Sequence, residues 1–402
     1  MAILFRRIAE WLQHPERTSG PLTVAAMIAA FAMVNSPLRP IYRLVHHTPV
    51  AIRFGPLAVE KPLILWINEG LMVFFFLLVA MEIKREILEG HLQSVAKVAL
   101  PAFAALGGML VPAAIYLLFT WADPAASRGW AIPSATDTVL ALAALNLLGA
   151  RVSPAVKAFL LALAIFDDLG AIFILAALFT RDLSLVSLAI AAVALLALVT
   201  TNRLGVTRTS AYVVTGLALW VAVLESGVHA TVAGFLIGLA LPLRTDGRSP
   251  SPLRVAEHGL RPWVVLAIVP LFAFFNSGVE LTDMATGQIS TAVALGTALA
   301  LVAGKPVGVL AFAWVSVRLG LARLPDGARW PHLAGASMLA GIGFTMSLFF
   351  AGVAFGASAG LVLSAKVGVL AGSIASATFG LAFLAALEWW PKKGAWADES
   401  LP

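Results

Sequence analysis

Long apolar runs separated by short polar turns fill this chain, at residues 22–36, 63–88, 98–120, 131–149, 154–179, 183–200, 209–225, 227–242, 262–282, 290–317, 331–354 and 359–389. A helix needs about 20 mostly apolar residues to cross a bilayer. The pattern therefore predicts an all-α polytopic membrane protein of about 12 transmembrane helices. Only Ser226 and Gly227 part the seventh run from the short eighth, so a count of eleven stays open. The first 20 residues carry Arg6, Arg7 and Arg17 around an amphipathic stretch and read as a cytoplasmic interfacial helix. They lack the short apolar core and cleavage site of a signal peptide.

Composition agrees with the pattern: 60% of residues are hydrophobic and 12% charged, against about 25% charged in soluble domains. With no cysteine, thiol chemistry, disulfides and cysteine-held metals are excluded, and no cofactor is expected. The net charge of +6 would suggest nucleic acid in a soluble protein, but here the basic residues gather in alternate loops. Counted from an N-terminus inside, only Arg39, Arg43, Arg53, Lys61, Arg128 and Arg181 fall on the far side. That asymmetry places both termini in the cytoplasm. The longest external loop, 37–62, holds Val50 to Phe54 and Leu57 to Val59 flanking Gly55-Pro56, the pattern of a hairpin at 50–59. Its exposed edge suits a partner subunit. No linker divides the chain; the longest polar break is Arg244 to Arg261, and 1–402 reads as one membrane domain.

Ionisable residues inside apolar runs are costly and mark function. Asp137 lies in Pro133-Ser134-Ala135-Thr136-Asp137, Asp167 and Asp168 are adjacent in the fifth run, and Lys305 sits in Gly304-Lys305-Pro306. One structural ion pair cannot account for three aspartates and one central lysine. Helix neighbours project about 100° apart, so one of the adjacent pair can meet a cation while the other faces a cavity. Buried carboxylates near like charge hold protons more tightly, and the same oxygens suit a hard cation such as Na⁺ or Li⁺. Protons and the cation would compete for one site.

Two runs resist forming continuous helices. Pro133 with Ser134, Thr136 and Thr138 interrupts the fourth; Gly341, Gly343, Thr345 and Ser347 interrupt the eleventh through two permissive glycines and two hydroxyls. Interrupted helices at matching places in two repeats point to a transporter's binding site. The candidate inverted repeats are 98–179 and 290–389. Half-helix ends meeting at the midplane leave two positive N-termini and two negative C-termini. Asp137 can offset the first and Lys305 the second, or Lys305 can pair with Asp167, and the two arrangements can each hold in a different state.

Near the cytoplasmic end of the second run, Glu82 and its charged neighbours read either as a solvated interface or as an acid cluster, with Glu257 and His258 of the next polar loop, that gates entry. His229 reads as a packing residue. Asn276 lines a cavity or packs. Glu69, Glu280 and Lys366 lie near outer ends without an assigned role. Two rival classes also use buried acids or membrane spans. An intramembrane aspartyl protease needs two acids sharing a proton across a cavity, and its Gly-x-Gly-Asp element is absent. A passive cation channel would move no protons.

Together, Leu65-Trp66-Ile67-Asn68-Glu69, Glu82-Ile83-Lys84-Arg85-Glu86, Trp130 through Asp137, Leu163 through Gly170, Gly227 through Gly234, Phe272 through Val279, Gly304-Lys305-Pro306 and Gly341 through Ser347 resemble the NhaA-type Na⁺/H⁺ antiporters over nearly the whole chain. The resemblance implies a secondary transporter of the bacterial inner membrane, not an enzyme. It implies electrogenic, pH-regulated exchange of cytoplasmic Na⁺ or Li⁺ for external H⁺, and a homodimer formed through the hairpin. Asp168 looks like the ion- and proton-carrying carboxylate, and Asp167 its partner held by Lys305. Thr136 and Asp137 match the interrupted-helix positions, while Glu82, Glu86 and Glu257 match a pH-sensing region. Two departures stand out: Glu69 replaces a common aspartate, and Arg261 stands where some members carry histidine.

Overall fold

A computed structural model of the chain describes residues 15–54, 57–90, 95–149, 152–180, 183–243, 251–282, 289–325, 327–356 and 358–389. The regular elements among the described residues are helices apart from one two-stranded hairpin. Helix α1 (Pro15–Val34) bends by 112° into the short α2 (Arg39–His47), which leads into antiparallel strands β1 (Pro49–Phe54) and β2 (Leu57–Pro62). There follow α3 (Leu63–Leu88), α4 (Val95–Thr120), a 3-10 segment (Arg128–Ser134) and α5 (Thr138–Leu147). Next come α6 (Pro154–Leu178), α7 (Leu185–Arg203), α8 (Thr209–Leu224) and α9 (Thr231–Ala240). The chain closes with α10 (Pro252–Asn276), α11 (Thr291–Arg318), α12 (Trp330–Ala340), α13 (Phe344–Phe355) and α14 (Ala359–Trp389).

Among the described residues, seven continuous helices are long and apolar enough to cross a membrane, α3, α4, α6, α7, α10, α11 and α14. Two bent pairs, α1 with α2 and α12 with α13, add candidates, and α5, α8 and α9 are shorter apolar helices. Two boundaries differ from the sequence expectation. Residues 15–20 belong to α1, which runs through Pro21, so they form no separate interfacial helix; residues 1–14 lie outside the described set. The polar stretch before Arg261 is not a loop up to that residue. Ser251 Oγ accepts the Arg254 N–H, Pro252 occupies the first turn, and α10 starts there, because a capping hydroxyl followed by proline begins a helix whatever the polarity of its first turns. Glu257, His258 and Arg261 therefore ride on a helix.

The hairpin pairs Ile52 with Val59 and Val50 with Lys61, so β2 runs three residues past Val59 to Pro62; its Gly55-Pro56 turn lies outside the described residues. Helices α8 and α9 are separated by Glu225 to Ala230, a wider break than Ser226-Gly227, with Gly227 at φ +85°.

Small residues bring helices close, as they must in lipid where apolar burial alone does not drive association. Gly107 on α4 and Gly308 on α11 face one another so tightly that a methyl group on either would run into the other's carbonyl oxygen. Gly234 and Gly238 seat α9 against the Val73 and Leu77 carbonyls of α3 in the same way. An aromatic cluster is buried on α13, where the Phe349 ring stands 6.2 Å from those of Phe76, Phe272 and Phe350. By contrast, Leu185, Val186, Ile190, Val193 and Leu196 leave one side of α7 exposed and apolar, a surface fit for lipid.

Candidate functional site

Both expected interruptions occur. The 3-10 segment stops at Ser134, residues 135–137 are extended, and α5 begins at Thr138. Helix α12 stops at Ala340 and α13 starts at Phe344 after a 45° bend. Glycine acts in the second break by a different physical route from the one its conformational freedom suggests. Gly341 and Gly343 have ordinary helical φ values of −69° and −94°. What they supply is space: a methyl on Gly341 would lie 2.5 Å from both the Leu301 carbonyl oxygen and Ser376 Oγ.

The two breaks cross and bond directly. The Asp137 N–H donates to the Ile342 carbonyl at 2.6 Å. Asp137 Oδ1 accepts the Leu140 N–H at 3.0 Å, while Oδ2 accepts the Thr345 N–H at 3.0 Å and the Thr345 hydroxyl at 2.6 Å. One carboxylate thus caps the N-termini of both α5 and α13, where orphan amides and the helix dipole favour negative charge.

The opposite ends present carbonyls. Lys305 Nζ donates to the Ser134 carbonyl at 2.5 Å and is 2.8 Å from Asp167 Oδ2. Thr136 Oγ1 lies 2.6 Å from the same Asp167 oxygen and 2.8 Å from the Ala340 carbonyl, so its single proton serves one acceptor at a time. The two alternatives for Lys305, offsetting a helix C-terminus or pairing with Asp167, hold together in one conformation. Its position follows from α11, which opens into a π-turn over Ala300–Gly304 just before Lys305-Pro306. Proline at 306 lacks the N–H that would continue the regular ladder.

Asp167 and Asp168 sit on the continuous α6 and separate as the helical period requires. Asp167 turns to Lys305 and Thr136. Asp168 makes no ion pair among the described residues, and the Oδ1 atoms of both aspartates are buried without a hydrogen-bond partner. Uncommitted buried carboxylate oxygen is expensive unless something fills it. Among the described residues no three His, Asp or Glu side chains converge as a resident metal site.

A second charged group lies away from this centre, at the C-terminal end of α3 and the N-terminal turns of α10. Arg261 Nη2 is 2.6 Å from Glu82 Oε1 and 3.0 Å from Glu257 Oε1, and Arg85 Nη2 is 3.5 Å from both Glu257 and Glu86. His258 is exposed on the neighbouring face of α10 and joins none of these ion pairs among the described residues. At the other end, Lys61 is 2.5 Å from Glu69, Arg43 and Arg39 meet Glu280, and Lys366 Nζ is 3.4 Å from the Gly278 carbonyl. His229 bonds Thr231 at 2.8 Å and sets its ring edge against Phe349, a packing arrangement. Asn276 exchanges amide hydrogen bonds with Asn68 at 2.8 and 3.1 Å, which ties α10 to α3. Sequence reasoning missed the Ser134, Ala340 and Ile342 carbonyls, because a backbone acceptor has no residue type to betray it.

The model of the family described as Na+/H+ antiporter 1 matches residues 10–384. Among similar proteins, the Na(+)/H(+) antiporter NhaA of Shewanella loihica is 50% identical over 94% of this chain and 96% of its own length. That of Shewanella oneidensis is 51% identical over 94% and 97%. That of Shewanella sediminis is 49% identical over 94% and 95%.

Proposed function

The chain belongs to the Na⁺/H⁺ antiporter family, and from that premise we propose that Asp168 is the carboxylate its cargo occupies, with Asp167 as the second proton-accepting oxygen source. The protein is a multi-pass membrane transporter that exchanges Na⁺ for H⁺, not an enzyme. Neither a protease nor a passive channel finds support in these relatives.

The observation that carries the assignment is the division of labour among three buried aspartates. Asp137 is committed to two helix N-termini and Asp167 Oδ2 to Lys305 and Thr136, which leaves Asp168 and the Oδ1 of Asp167 uncommitted. Na⁺ or Li⁺, as substrate, takes hard oxygen donors, and a proton takes the same lone pairs. Occupancy by one excludes the other, which is the requirement for obligatory exchange. Thr136 and Lys305 complete the set by holding Asp167.

The mechanism that fits is alternating access. Protons entering from outside neutralise Asp167 and Asp168, the crossing helices move against the rest of the bundle, and Na⁺ from the cytoplasm displaces the protons. Two carboxylates per cycle make the exchange electrogenic, so the membrane potential, worth about 2.3 kcal/mol per charge per 100 mV, helps expel Na⁺. The helices support twelve crossings when the seven continuous spans are joined by α1, the 3-10 segment with α5, α8, α9 and the α12–α13 pair. Residues 98–179 and 290–389 then form inverted repeats, each with its interrupted helix in the middle. Both termini face the cytoplasm of a bacterial inner membrane. Glu82, Glu86 and Glu257, with His258 nearby, are the candidates for pH regulation at the cytoplasmic mouth. The hairpin at 50–59 offers an edge for a homodimer, and nucleic acid has no place in this reading.

Everted vesicles loaded with a quenched pH dye test the assignment. Wild type dequenches on addition of Na⁺; Asp168→Asn should not, and Lys305→Ala should be impaired. Full Na⁺-dependent dequenching by Asp168→Asn overturns the role given to Asp168.

A further inference from the structure

The charged group where α3 meets α10 holds a guanidinium in a position that a transported cation would also seek. Glu82 lies in the last turns of α3, and its side chain is 22% exposed, whereas Asp168 is 3% exposed. On the reading proposed above, Glu82 is the acid a cation meets first at the cytoplasmic mouth. Arg261 Nη2 lies 2.6 Å from the same Glu82 Oε1.

The contact is not what satisfies Arg261 locally. Glu257, one helical turn before it on α10, already lies 3.0 Å away in the (i, i+4) relation and is only 8% exposed. The bond to Glu82 reaches across to another helix. The Arg261 and Glu82 side chains are 30% and 22% exposed, so water reaches the pair and can exchange with it, as at a surface ion pair. The other charges at the mouth are turned elsewhere. Lys84 Nζ donates to the Leu239 and Leu241 carbonyls at the end of α9, and Arg254 is 2.5 Å from Glu89 at the rim. Arg85 stands 3.5 Å from Glu257 and Glu86, and His258 faces outward. Just beyond Arg261, α10 relaxes into a π-turn over Val264–Ile268, a place where its first turns can yield without disturbing the rest of the helix.

We propose that Arg261 is a tethered cation that occupies the Na⁺ entry position at Glu82 and must be displaced by each incoming ion, so that it sets the Na⁺ concentration dependence of exchange. The inference rests on the reading of Asp168 as the cargo carboxylate reached from this mouth. Arginine stays charged at every working pH; the competition it imposes is therefore with Na⁺ itself, not with protons. Glu257 draws the guanidinium away from Glu82 and so moderates that competition.

The test is the Na⁺ dependence of dequenching in everted vesicles at fixed pH. A background of choline chloride at about twice physiological ionic strength suppresses long-range attraction while leaving contacts at bonding distance. Arg261→Gln should lower KM for Na⁺ by roughly two- to fivefold, the range an exchangeable surface pair commands, with Vmax changed less than KM. Arg261→Lys, which keeps the charge, should stay near wild type. Glu257→Gln should raise KM, because Glu257 then no longer draws the guanidinium away from Glu82. A structural tie predicts that both neutral variants lower Vmax and shift KM the same way, or leave it unmoved; either result overturns the proposal. If Arg261→Gln does not accumulate in the membrane, an unchanged or lowered KM in Glu257→Gln overturns it as well. Exchange that survives Asp168→Asn would remove the underlying reading, whereas an inactive Asp168→Asn with an unmoved Arg261→Gln removes only the role of Arg261.

Discussion

Lys305 Nζ stands 2.8 Å from Asp167 Oδ2 with neither side chain exposed to any solvent. A charge pair this deep survives because each partner has further bonds, Lys305 to the Ser134 carbonyl and Asp167 to Thr136. Desolvating both groups costs about what their attraction returns.

Breaking that pair from one side is the severe change. Lys305→Ala leaves Asp167 buried without its cation and should cost about 3–5 kcal/mol, read as a large drop in the thermal unfolding temperature of the detergent-solubilised protein. Joint replacement by Asp167→Asn and Lys305→Gln removes both charges and should recover much of the loss. A double variant no more stable than Lys305→Ala would show that the pair is not what the lysine provides.

Asp137 and Asp168 should separate structure from transport. Asp137→Ala removes caps from α5 and α13 at once, at about 1 kcal/mol for each, so thermal stability falls. Among the described residues no ion pair holds Asp168 and its Oδ1 has no hydrogen-bond partner, so Asp168→Asn relieves a buried charge; stability should hold or rise while Na⁺-dependent exchange stops. Equal destabilisation by both would contradict the division of roles.

The close approach of α4 and α11 is open to a matched glycine pair. Gly308→Ala drives a methyl against the Gly107 carbonyl and Val111, an overpacking that costs about 1–3 kcal/mol. Gly352→Ala on α13 meets nothing within 4 Å and should be neutral or stabilising by up to about 1 kcal/mol through helix propensity. Unfolding curves of the two variants decide the point.

Competition for the aspartates fixes the sign of the pH effect on binding. Acid fills the carboxylate lone pairs and must be expelled before Na⁺ enters, so affinity rises with pH until the groups are ionised. Below that point, the dissociation constant should rise about tenfold for each pH unit of acidification when one proton competes and about a hundredfold when two do. Isothermal titration of purified protein with Na⁺ over a pH series gives the slope, and a flat profile across the working range would refute the shared site.

Family membership, and the buried charges that the structure gathers at the two breaks, were legible in the order of residues. Asp137, Asp167, Asp168 and Lys305 stand out because a titratable group in an apolar run is rare, and the breaks at Pro133 and Gly341 because proline and glycine mark themselves. Less was legible about α10, where polarity hid a helix start that Ser251 and Pro252 signal.

The sequence by itself determined where the apolar helices lie, where two of them fail and which charges lipid would not tolerate, since hydropathy and backbone propensity are local properties. Only the tertiary structure decided which charge meets which partner. Asp137 reaches Thr345 across 208 residues and Lys305 reaches Ser134 across 171, so their roles depend on how two broken helices cross. The same holds for the glycines of the second break, whose value lies in the room left to a neighbouring carbonyl and not in their own φ. Pairing and clearance are set by helices far apart in the chain, and no local pattern encodes them.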